Sequence, residues 1–216
     1  MFGKSVDFRL RLIYNIHVSS DGGSNVQKLK ERIKSEGSAL PGGIIRVGTF
    51  LNHMIDTSLA QDIAREFARI FRDENVNKIL TIESSGIAFA VLTGVELGVP
   101  VVFAKKALGG NMLGDAWTAF VRSYTKGTES SIYVAKQLLT AEDRVLIIDD
   151  FLAYGEAVSG LVKMVRLSGA ALCSVGIVVE KAYEPGGEKL RKAGVRVESL
   201  ARVESIDNGV IHFSEN

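Results

Sequence analysis

Two adjacent carboxylates, Asp149 and Asp150, directly follow the apolar run Val145–Ile148. Such a run is typical of a strand that is buried on both faces. In open α/β sheets, ligands bind outside the carboxyl ends of the strands, which is where these two acids would lie. Neighbouring carboxylates can accept hydrogen bonds from sugar hydroxyls or hold Mg²⁺. The pair is therefore a candidate binding site, and capping of the next helix is the alternative use of these residues.

The turn that follows the acids is a candidate anion site. Its residues are Ala153, Tyr154, Gly155, Glu156 and Ala157. A helix is predicted from about Gly155 to Leu167, and a helix start presents unpaired backbone amides and the positive end of the helix dipole. We interpret this turn as a phosphate cradle.

Two other segments carry polar residues at predicted strand ends. Ser84, Ser85 and Gly86 precede a predicted helix, so they suit either a tight anion-binding loop or an ordinary N-cap. Lys105 follows a predicted strand and suits either an anion contact or a solvated surface position. Residue type alone leaves both choices open.

The elements that position these residues alternate in type. Hydrophobic spacing predicts helices over 26–36, 58–75, 87–97, 155–167 and 188–193, and strands over 78–82, 101–104, 144–148, 174–179 and 195–203. Asn25 and Ser58 are the predicted N-caps of the first two helices. Strands that alternate with helices imply parallel pairing through right-handed crossovers. We expect an α/β fold with a mostly parallel sheet flanked by helices.

A glycine-rich segment interrupts this alternation. Residues 105–136 contain four glycines and two β-prone runs, near 118–124 and 131–135. A segment of this length inside a compact domain is more often functional than a passive connection. We call residues 107–128 the arm. A terminal hairpin is predicted around Asn208 and Gly209.

Composition excludes several classes of protein. Hydrophobic residues make up 46% of the 216 residues and charged residues 24%, which is typical of one globular domain. The net charge of +1 gives no basis for binding nucleic acid or an anionic membrane surface. A single cysteine, Cys173, and three scattered histidines predict neither a disulfide nor a structural zinc site. Without a membrane-length apolar run or a signal peptide, we expect a cytoplasmic protein.

The segment 145–157 resembles the phosphoribosyl diphosphate (PRPP) binding motif of the type I phosphoribosyltransferases. The resemblance extends from about Val26 to the C-terminus, and its closest form is the bacterial xanthine phosphoribosyltransferase family. The segments that carry it are 50–53, 55–56, 81–88, 98–104, 180–181 and 197–201. Together these segments are far more specific than the single motif.

The resemblance implies a reaction and a set of roles. Xanthine would attack the anomeric carbon of PRPP, and diphosphate would leave with Mg²⁺. Asp149 and Asp150 would hold the ribose hydroxyls, and the amides of 153–157 would hold the 5′-phosphate. Diphosphate would lie on the Ser84–Gly86 loop with Lys105 nearby, and the arm would cover the site. No directly bound metal is assigned to this chain.

The resemblance also implies how the base is held. Residues 26–216 would form one domain, with a small hood at about 37–56 and a C-terminal part at about 181–213. Ile45 and Asn52 of the hood and Lys181 would contact the base. A lysine is a donor, so it suits the 6-oxygen of an oxopurine and disfavours adenine, whose 6-amino group also donates. The family is dimeric, so we expect a homodimer.

Two departures from the wider superfamily bear on mechanism. Tyr154 and Glu156 stand where many of these enzymes have threonine. Ala153 stands where the hypoxanthine-guanine enzymes have an aspartate placed as general acid and base. Removal of the base proton would then fall to water, to another residue or to the acidity of xanthine itself.

Two alternative functions stay open from the sequence. One is a phosphoribosyltransferase with a preference for hypoxanthine or guanine. The other is a regulator that keeps the PRPP site without turnover, because fold does not fix function. Such regulators carry an added DNA-binding domain, and only 25 residues precede the family resemblance here.

Residues 1–25 form an N-terminal extension relative to the resemblance. Relatives begin with methionine where this chain has Val26. We hypothesise that the extension comes from translation upstream of a GTG start codon. An intact mass that includes Met1 in protein expressed from its own promoter would contradict this hypothesis.

Overall fold

The computed structural model describes residues 22–107, 115–123 and 128–214. Residues 1–21 of the N-terminal extension and residues 108–114 and 124–127 of the arm lie outside the described residues. The β-strands are β1 (Ser38–Leu40), β2 (Ile44–Arg46), β3 (Lys78–Ile82), β4 (Val101–Ala104), β5 (Ala116–Ser123), β6 (Thr128–Ala135), β7 (Arg144–Leu152), β8 (Ala171–Lys181), β9 (Val197–Asp207) and β10 (Val210–Phe213). The α-helices are α1 (Gly22–Glu36), α2 (Thr57–Phe71), α3 (Gly86–Leu97), α4 (Glu156–Ser168) and α5 (Gly186–Lys192).

The central sheet has six strands in the order β10-β9-β8-β7-β3-β4. All neighbouring pairs are parallel except β10 with β9, which form an antiparallel hairpin. Its turn residues, Asn208 and Gly209, both have positive φ (53° and 83°), as a two-residue hairpin with matching twist requires. The predicted fold class and the terminal hairpin are confirmed.

The sheet separates two hydrophobic layers. Along β7, Leu146 and Ile148 face one layer, whereas Val145 and Ile147 face the other, because successive side chains of a strand point to opposite faces. The first layer is covered by α1, α2 and α3, and the second by α4, α5 and the β5–β6 ribbon. This double covering explains the unbroken apolar run before Asp149.

Two small antiparallel pairs lie outside the central sheet. β1 and β2 form a hairpin that is followed by the short helical turn Gly48–Asn52, and both lie within residues 37–56, the segment for which the hood is predicted. β5 and β6 form a two-stranded ribbon in the predicted arm region. The ribbon joins the main body where Lys105 and Tyr133 exchange backbone hydrogen bonds of 2.9 and 3.0 Å.

Several predicted boundaries are wrong. α1 begins at Gly22, so Asn25 lies inside the helix and is not its N-cap. The N-cap of α2 is Asp56, whose carboxylate accepts from the amides of Ser58 and Leu59 at 3.0 and 3.1 Å. Ser58 is therefore a helical residue rather than the cap. β7, β8 and β9 each extend past their predicted ends, and α5 begins before its predicted start at Glu188.

The strand order creates a crevice between β3 and β7. The connections from β3 lead to β4 on one side, whereas β7 and the later strands lie on the other side. Pairing between β3 and β7 stops at Leu80 and Ile147, before either strand ends. Ligands of open α/β sheets bind at such a switch point, outside the carboxyl ends of the strands.

Candidate active site

Asp149 and Asp150 lie in the last part of β7, at the switch-point crevice. They are only 5% and 7% exposed. The amide of Asp150 donates to Oδ1 of Asp149 at 3.0 Å. Burial, followed by the neighbouring charge of Asp150, raises the pKa of Asp149 well above its ordinary value. Neither acid caps α4, whose N-cap residue is Gly155, so the capping alternative is excluded.

The N-terminus of α3 approaches Asp149 closely. A β-carbon added to Gly86 would lie 2.6 Å from Oδ1 of Asp149 and 2.5 Å from Oγ1 of Thr81. Only glycine fits this contact. Within the described residues, Oγ1 of Thr81 is buried and has no hydrogen-bond partner. Thr81 was not predicted as a site residue, because a threonine inside a strand carries no distinctive sequence signal.

The predicted phosphate cradle leads from β7 into α4. Gly155 has φ of 83°, the left-handed region that favours glycine, and α4 begins at Glu156. No side chain in the described part of the chain caps this helix start. The amide of Ser159 donates to the carbonyl of Gly155 at 2.8 Å. The helix start therefore lies a few residues after the two acids and has no side-chain cap from its N-cap residue.

The predicted diphosphate loop joins β3 to α3. Residues 83–85 form a turn in which the Glu83–Ser84 peptide bond is cis. Ser85 occupies the N-cap position of α3 but makes no side-chain capping bond, and Ser84 is exposed. The N-cap interpretation of these serines is therefore not realised.

Lys105 and Lys106 lie beside this loop, after β4. The backbone of Lys105 pairs with Tyr133, and its side chain is exposed. The amide of Lys106 donates to the carboxylate of Glu83. The charge of Lys106 acts to lower the pKa of Asp149, although burial outweighs it. Lys106, which was not predicted as a site residue, is thus the lysine with the stronger electrostatic connection to the acids.

Lys181 ends β8 and contacts the hood. Its Nζ donates to the carbonyl oxygen of Gly43, in the β1–β2 turn, at 2.8 Å. The hydroxyl of Tyr183 donates to the same oxygen at 3.0 Å. Burial lowers the pKa of Lys181 and raises the pKa of Tyr183 to about 12. Tyr183 was also missed by the sequence analysis, since its partner lies far away along the chain.

The other two predicted base contacts belong to the hood. Ile45 is buried in β2, two residues after the Gly43 carbonyl. Asn52 ends the helical turn and is exposed. The structure thus brings Lys181 to the hairpin that carries Ile45, while Asn52 lies on the adjoining turn.

An ion pair supports the strand end that bears Lys181. Glu180 is 1% exposed and binds Arg191 through two bonds of 2.7 Å, and Ser199 donates to it at 2.6 Å. Burial opposes ionisation of Glu180, but the bonds from Arg191 and Ser199 outweigh it, so its pKa is lowered. The lowered pKa of Glu180 contrasts with the raised pKa of Asp149.

An open cleft of about 500 Å³ lies beside the hood hairpin. It is lined by Ala39, Leu40, Pro41, Gly42, Gly43, Tyr183, Ser205, Ile206 and Gly209. None of the residues predicted to bind substrate lines it. The cleft is therefore distinct from the crevice at Asp149.

Comparison with curated proteins identifies the family. No protein-family model matches the chain. The chain is 50% identical over 188 residues to a protein named xanthine phosphoribosyltransferase from Stutzerimonas stutzeri, covering 87% of this chain and 99% of that protein. It is also 50% identical over 185 residues to the protein of the same name from Bacillus mycoides, covering 86% and 94%.

The chain belongs to the xanthine phosphoribosyltransferase family.

Solved structures support the fold of this family member. An adenine phosphoribosyltransferase from Thermoanaerobacter pseudethanolicus matches with a TM-score of 0.68 and 21% identity, covering 82% of this chain and 99% of that one. The enzyme from Giardia lamblia, in complex with 9-deazaadenine, matches with a TM-score of 0.68 and 22% identity, covering 83% and 98%. At this level of identity the likeness concerns the fold alone.

The switch-point crevice of this xanthine phosphoribosyltransferase family member offers carboxylate donors of the kind that Mg²⁺ prefers. The described residues contain no group of three or more His, Cys, Asp or Glu side chains that could hold a metal ion. They do contain the adjacent carboxylates Asp149 and Asp150. Mg²⁺ is usually bound through one or two carboxylates together with substrate phosphates. The pair therefore fits a Mg²⁺ ion that arrives with a phosphate ligand.

Among the helices that the structure describes, none has the length and apolar character needed to cross a bilayer.

Proposed function

We propose that this protein transfers the 5-phosphoribosyl group from PRPP to xanthine, which yields xanthosine 5′-monophosphate and diphosphate. The observation that carries the proposal is the buried pair Asp149 and Asp150, which lies between the uncapped start of α4 and the Ser84–Gly86 loop. The names of the curated relatives agree with this reaction.

Each part of PRPP has a chemically suitable partner. Asp149 and Asp150 accept hydrogen bonds from the ribose 2′ and 3′ hydroxyls. The amides of residues 153–157 bind the 5′-phosphate with help from the α4 dipole. The Ser84–Gly86 loop binds diphosphate, and the exposed lysines Lys105 and Lys106 offset its charge; the Lys106 amide bonds to Glu83, which precedes this loop.

The reaction forms a bond between a ring nitrogen of xanthine and the anomeric carbon while the bond from that carbon to diphosphate breaks. Positive charge develops on the sugar, so the two carboxylates stabilise the transition state by position and charge. The protein provides no carboxylate at Ala153 to take the proton of the base. That proton leaves to water, or is already absent from ionised xanthine.

We propose that Mg²⁺ accompanies PRPP. The carboxylates of Asp149 and Asp150 would hold the ion with the phosphates, and the ion would neutralise charge on the leaving diphosphate. The raised pKa of Asp149 fits such a partner, since a nearby cation favours the ionised carboxylate.

Base selection depends on Lys181. An ammonium group has three donors, and Gly43 accepts one of them. The other donors can meet the 6-oxygen of xanthine, whereas the 6-amino group of adenine would leave them unpaired. Ile45 and Asn52 would cover the base from the hood.

The remaining expectations follow from this function. We propose a homodimer in the cytoplasm. The single Cys173 is compatible with a reducing compartment, and an exposed apolar stretch on α3 is compatible with a subunit contact.

The test is diphosphate release from PRPP and Mg²⁺ with xanthine, guanine, hypoxanthine or adenine in parallel. The proposal expects the highest kcat/KM with xanthine and none above background with adenine. Higher kcat/KM with guanine or hypoxanthine would reject the base assignment and retain the transfer reaction. PRPP binding without turnover of any base would reject the enzyme and favour the regulator.

A further inference from the structure

Helix α5 begins directly against the proposed phosphate cradle. The amide of Gly186 donates to the carbonyl oxygen of Ala153 at 2.9 Å. A β-carbon on Gly155 would lie 2.9 Å from the α-carbon of Gly186. Both glycines are buried. The turn between β7 and α4 therefore rests on the backbone of a helix that is distant in sequence.

Gly186 has no space for a side chain. A β-carbon there would lie 2.5 Å from the amide nitrogen of Gly155 and 2.6 Å from the carbonyl carbon of Tyr154, and it would overlap the carbonyl oxygen of Ala153. These are all backbone atoms, which cannot move aside by a rotamer change. A larger residue must displace either the turn or α5.

The hydrogen bond from Gly186 also fixes an orientation. In a trans peptide unit the C=O and N–H groups point in opposite directions. Among the described residues, only the Glu83–Ser84 bond is cis, so the Ala153–Tyr154 unit is trans. Because the Ala153 carbonyl points toward α5, the amide of Tyr154 points away from α5.

The helix that provides this contact is itself held firmly. Arg191, in the last turn of α5, makes the two-bonded ion pair with buried Glu180. Leu190 is 5% exposed and belongs to the second hydrophobic layer. These anchors make α5 a rigid support rather than a loose surface helix.

We infer that Gly186 is a positioning residue that holds the turn 153–157 in the geometry that binds the 5′-phosphate of PRPP. It acts through the backbone of Ala153 and Gly155 and does not itself touch the substrate. The inference rests on the proposed function, because it takes this turn to be the phosphate cradle.

Gly187 provides a matched control. A β-carbon at Gly187 would overlap Oε1 of Glu180 and lie 2.6 Å from Nη1 of Arg191. Both atoms belong to the ion pair that anchors α5, so the added methyl group disturbs this anchor and does not press on the turn directly. Gly186→Ala and Gly187→Ala therefore add the same methyl group to neighbouring helical positions, but only the first presses on the turn.

The experiment measures the Kd of PRPP with Mg²⁺ by calorimetry, together with kcat, both KM values and Tm, for the wild type and the two variants. For Gly186→Ala we expect the Kd and KM of PRPP to rise about tenfold, the loss expected from one weakened charge-assisted hydrogen bond. The KM of xanthine should stay within about twofold. For Gly187→Ala, which disturbs the Glu180–Arg191 pair but leaves the backbone contact of Gly186 in place, we expect a lower Tm and a change of less than about threefold in the Kd of PRPP.

The outcomes separate this inference from the proposed function. A wild-type protein that does not bind PRPP would overturn both. An active wild type with an unchanged PRPP Kd in folded Gly186→Ala would overturn the positioning role alone. Equal rises in the KM of both substrates in the two variants would indicate general loosening and would also overturn it.

A second variant keeps the test decisive if Gly186→Ala does not fold. Pro185 precedes Gly186 with φ of −76°, and Pro185→Gly releases this restraint without adding atoms. We expect a rise in PRPP Kd of about two- to fivefold, with an unchanged KM for xanthine. An unchanged PRPP Kd would overturn the inference.

Discussion

At the scale of single residues, two buried aspartates of this chain differ in whether their ionised form stabilises the fold. Asp149 is buried, no cationic side chain of the described residues bonds to it, and burial raises its pKa well above the ordinary value. Asp143 is also buried, but it bonds to Lys78 at 2.8 Å. Burial opposes its ionisation, yet the bonds from Lys78 and Thr140 prevail and its pKa is lowered. Two buried aspartates therefore have opposite linkage to pH.

Asp149→Asn should raise Tm and abolish turnover. Between the ordinary pKa of aspartate, about 4, and the raised pKa of Asp149, the native state binds more protons than the unfolded state. The free energy of unfolding therefore falls as pH rises through this range. Asparagine does not ionise, so the variant does not lose stability in this way. Its Tm should therefore exceed that of the wild type by more at pH 8 than at pH 5. We expect kcat to fall about 100-fold or more.

The matched control is Asp143→Asn, which should lower Tm. Its depressed pKa means that the carboxylate stabilises the fold above the ordinary pKa, and that this contribution is lost as the pH falls through the lowered pKa. Calorimetric scans from pH 4 to pH 9 on both variants test the contrast. A Tm for Asp149→Asn below that of the wild type at pH 8 would contradict the prediction that ionised, buried Asp149 destabilises the fold.

Lys181→Met should affect the base more than PRPP. The variant keeps an apolar stem of similar length but loses every donor. We expect the KM of xanthine to rise about tenfold or more, while the KM of PRPP changes little. Steady-state kinetics with each substrate varied in turn would measure this, with exposed Lys163→Met as the control. Equal effects on both substrates would argue against a base contact.

At the scale of elements, the sequence predicts the centres of the strands better than their ends. β7 and β8 were placed from their apolar runs, but both continue into the polar residues Asp149, Asp150, Glu180 and Lys181. A prediction based on apolar runs ends a strand at its first polar residue. The predicted ends of β7 and β8 therefore fall where the candidate site begins. The start of α1 was missed for a different reason, since Gly22, Gly23 and Ser24 have low helix propensity.

Contacts between distant elements were beyond the reach of local patterns. The support of the phosphate turn by Gly186 and the shared acceptor at Gly43 join residues separated by about 30 and 140 positions along the chain. Neither contact leaves a local sequence signal. The motif around Asp149 was predictable because its acids, turn and helix start are consecutive.

The hood hairpin is held by two donors that share one acceptor, so their effects should not add. We expect Tyr183→Phe alone to raise the KM of xanthine only about two- to threefold, because Lys181 still binds the Gly43 carbonyl. In the Lys181→Met background, the same change should have a larger effect, since the carbonyl then loses its second donor. A double-mutant cycle on the KM of xanthine tests this, and strict additivity would contradict it.

At the scale of the whole molecule, two hydrophobic layers leave part of α3 uncovered. Val91 and Val95 are 45% and 70% exposed and lie four residues apart, on one face of the helix. Phe103 on the edge strand β4 is 40% exposed. Apolar surface of this kind on an otherwise well-packed chain favours a partner surface.

We predict a dimer of this chain in solution. Sedimentation velocity should give twice the mass of one chain at micromolar concentration. Val95→Glu should shift the distribution toward the monomer, because a carboxylate would lose water in the contact. Lys163→Glu, an exposed change on α4, is the control. A wild-type monomer at all concentrations would contradict the prediction, and an unaffected dimer in Val95→Glu would place the contact elsewhere.

The hood contacts Lys181 and Tyr183 through Gly43, whereas the phosphate turn contacts Gly186, so the base and the sugar phosphate are held by different short segments that the Glu180–Arg191 ion pair links. On the proposed assignment, residues 41–52 and 181–183 select the base, and residues 84–86 and 149–157 handle the sugar phosphate. Mutations that alter base preference can therefore accumulate during evolution without disturbing the chemistry common to every base. Enzymes named for adenine share this scaffold at about one-fifth sequence identity. Base preference can then change by exchange of short peripheral segments while the fold of the central sheet is kept.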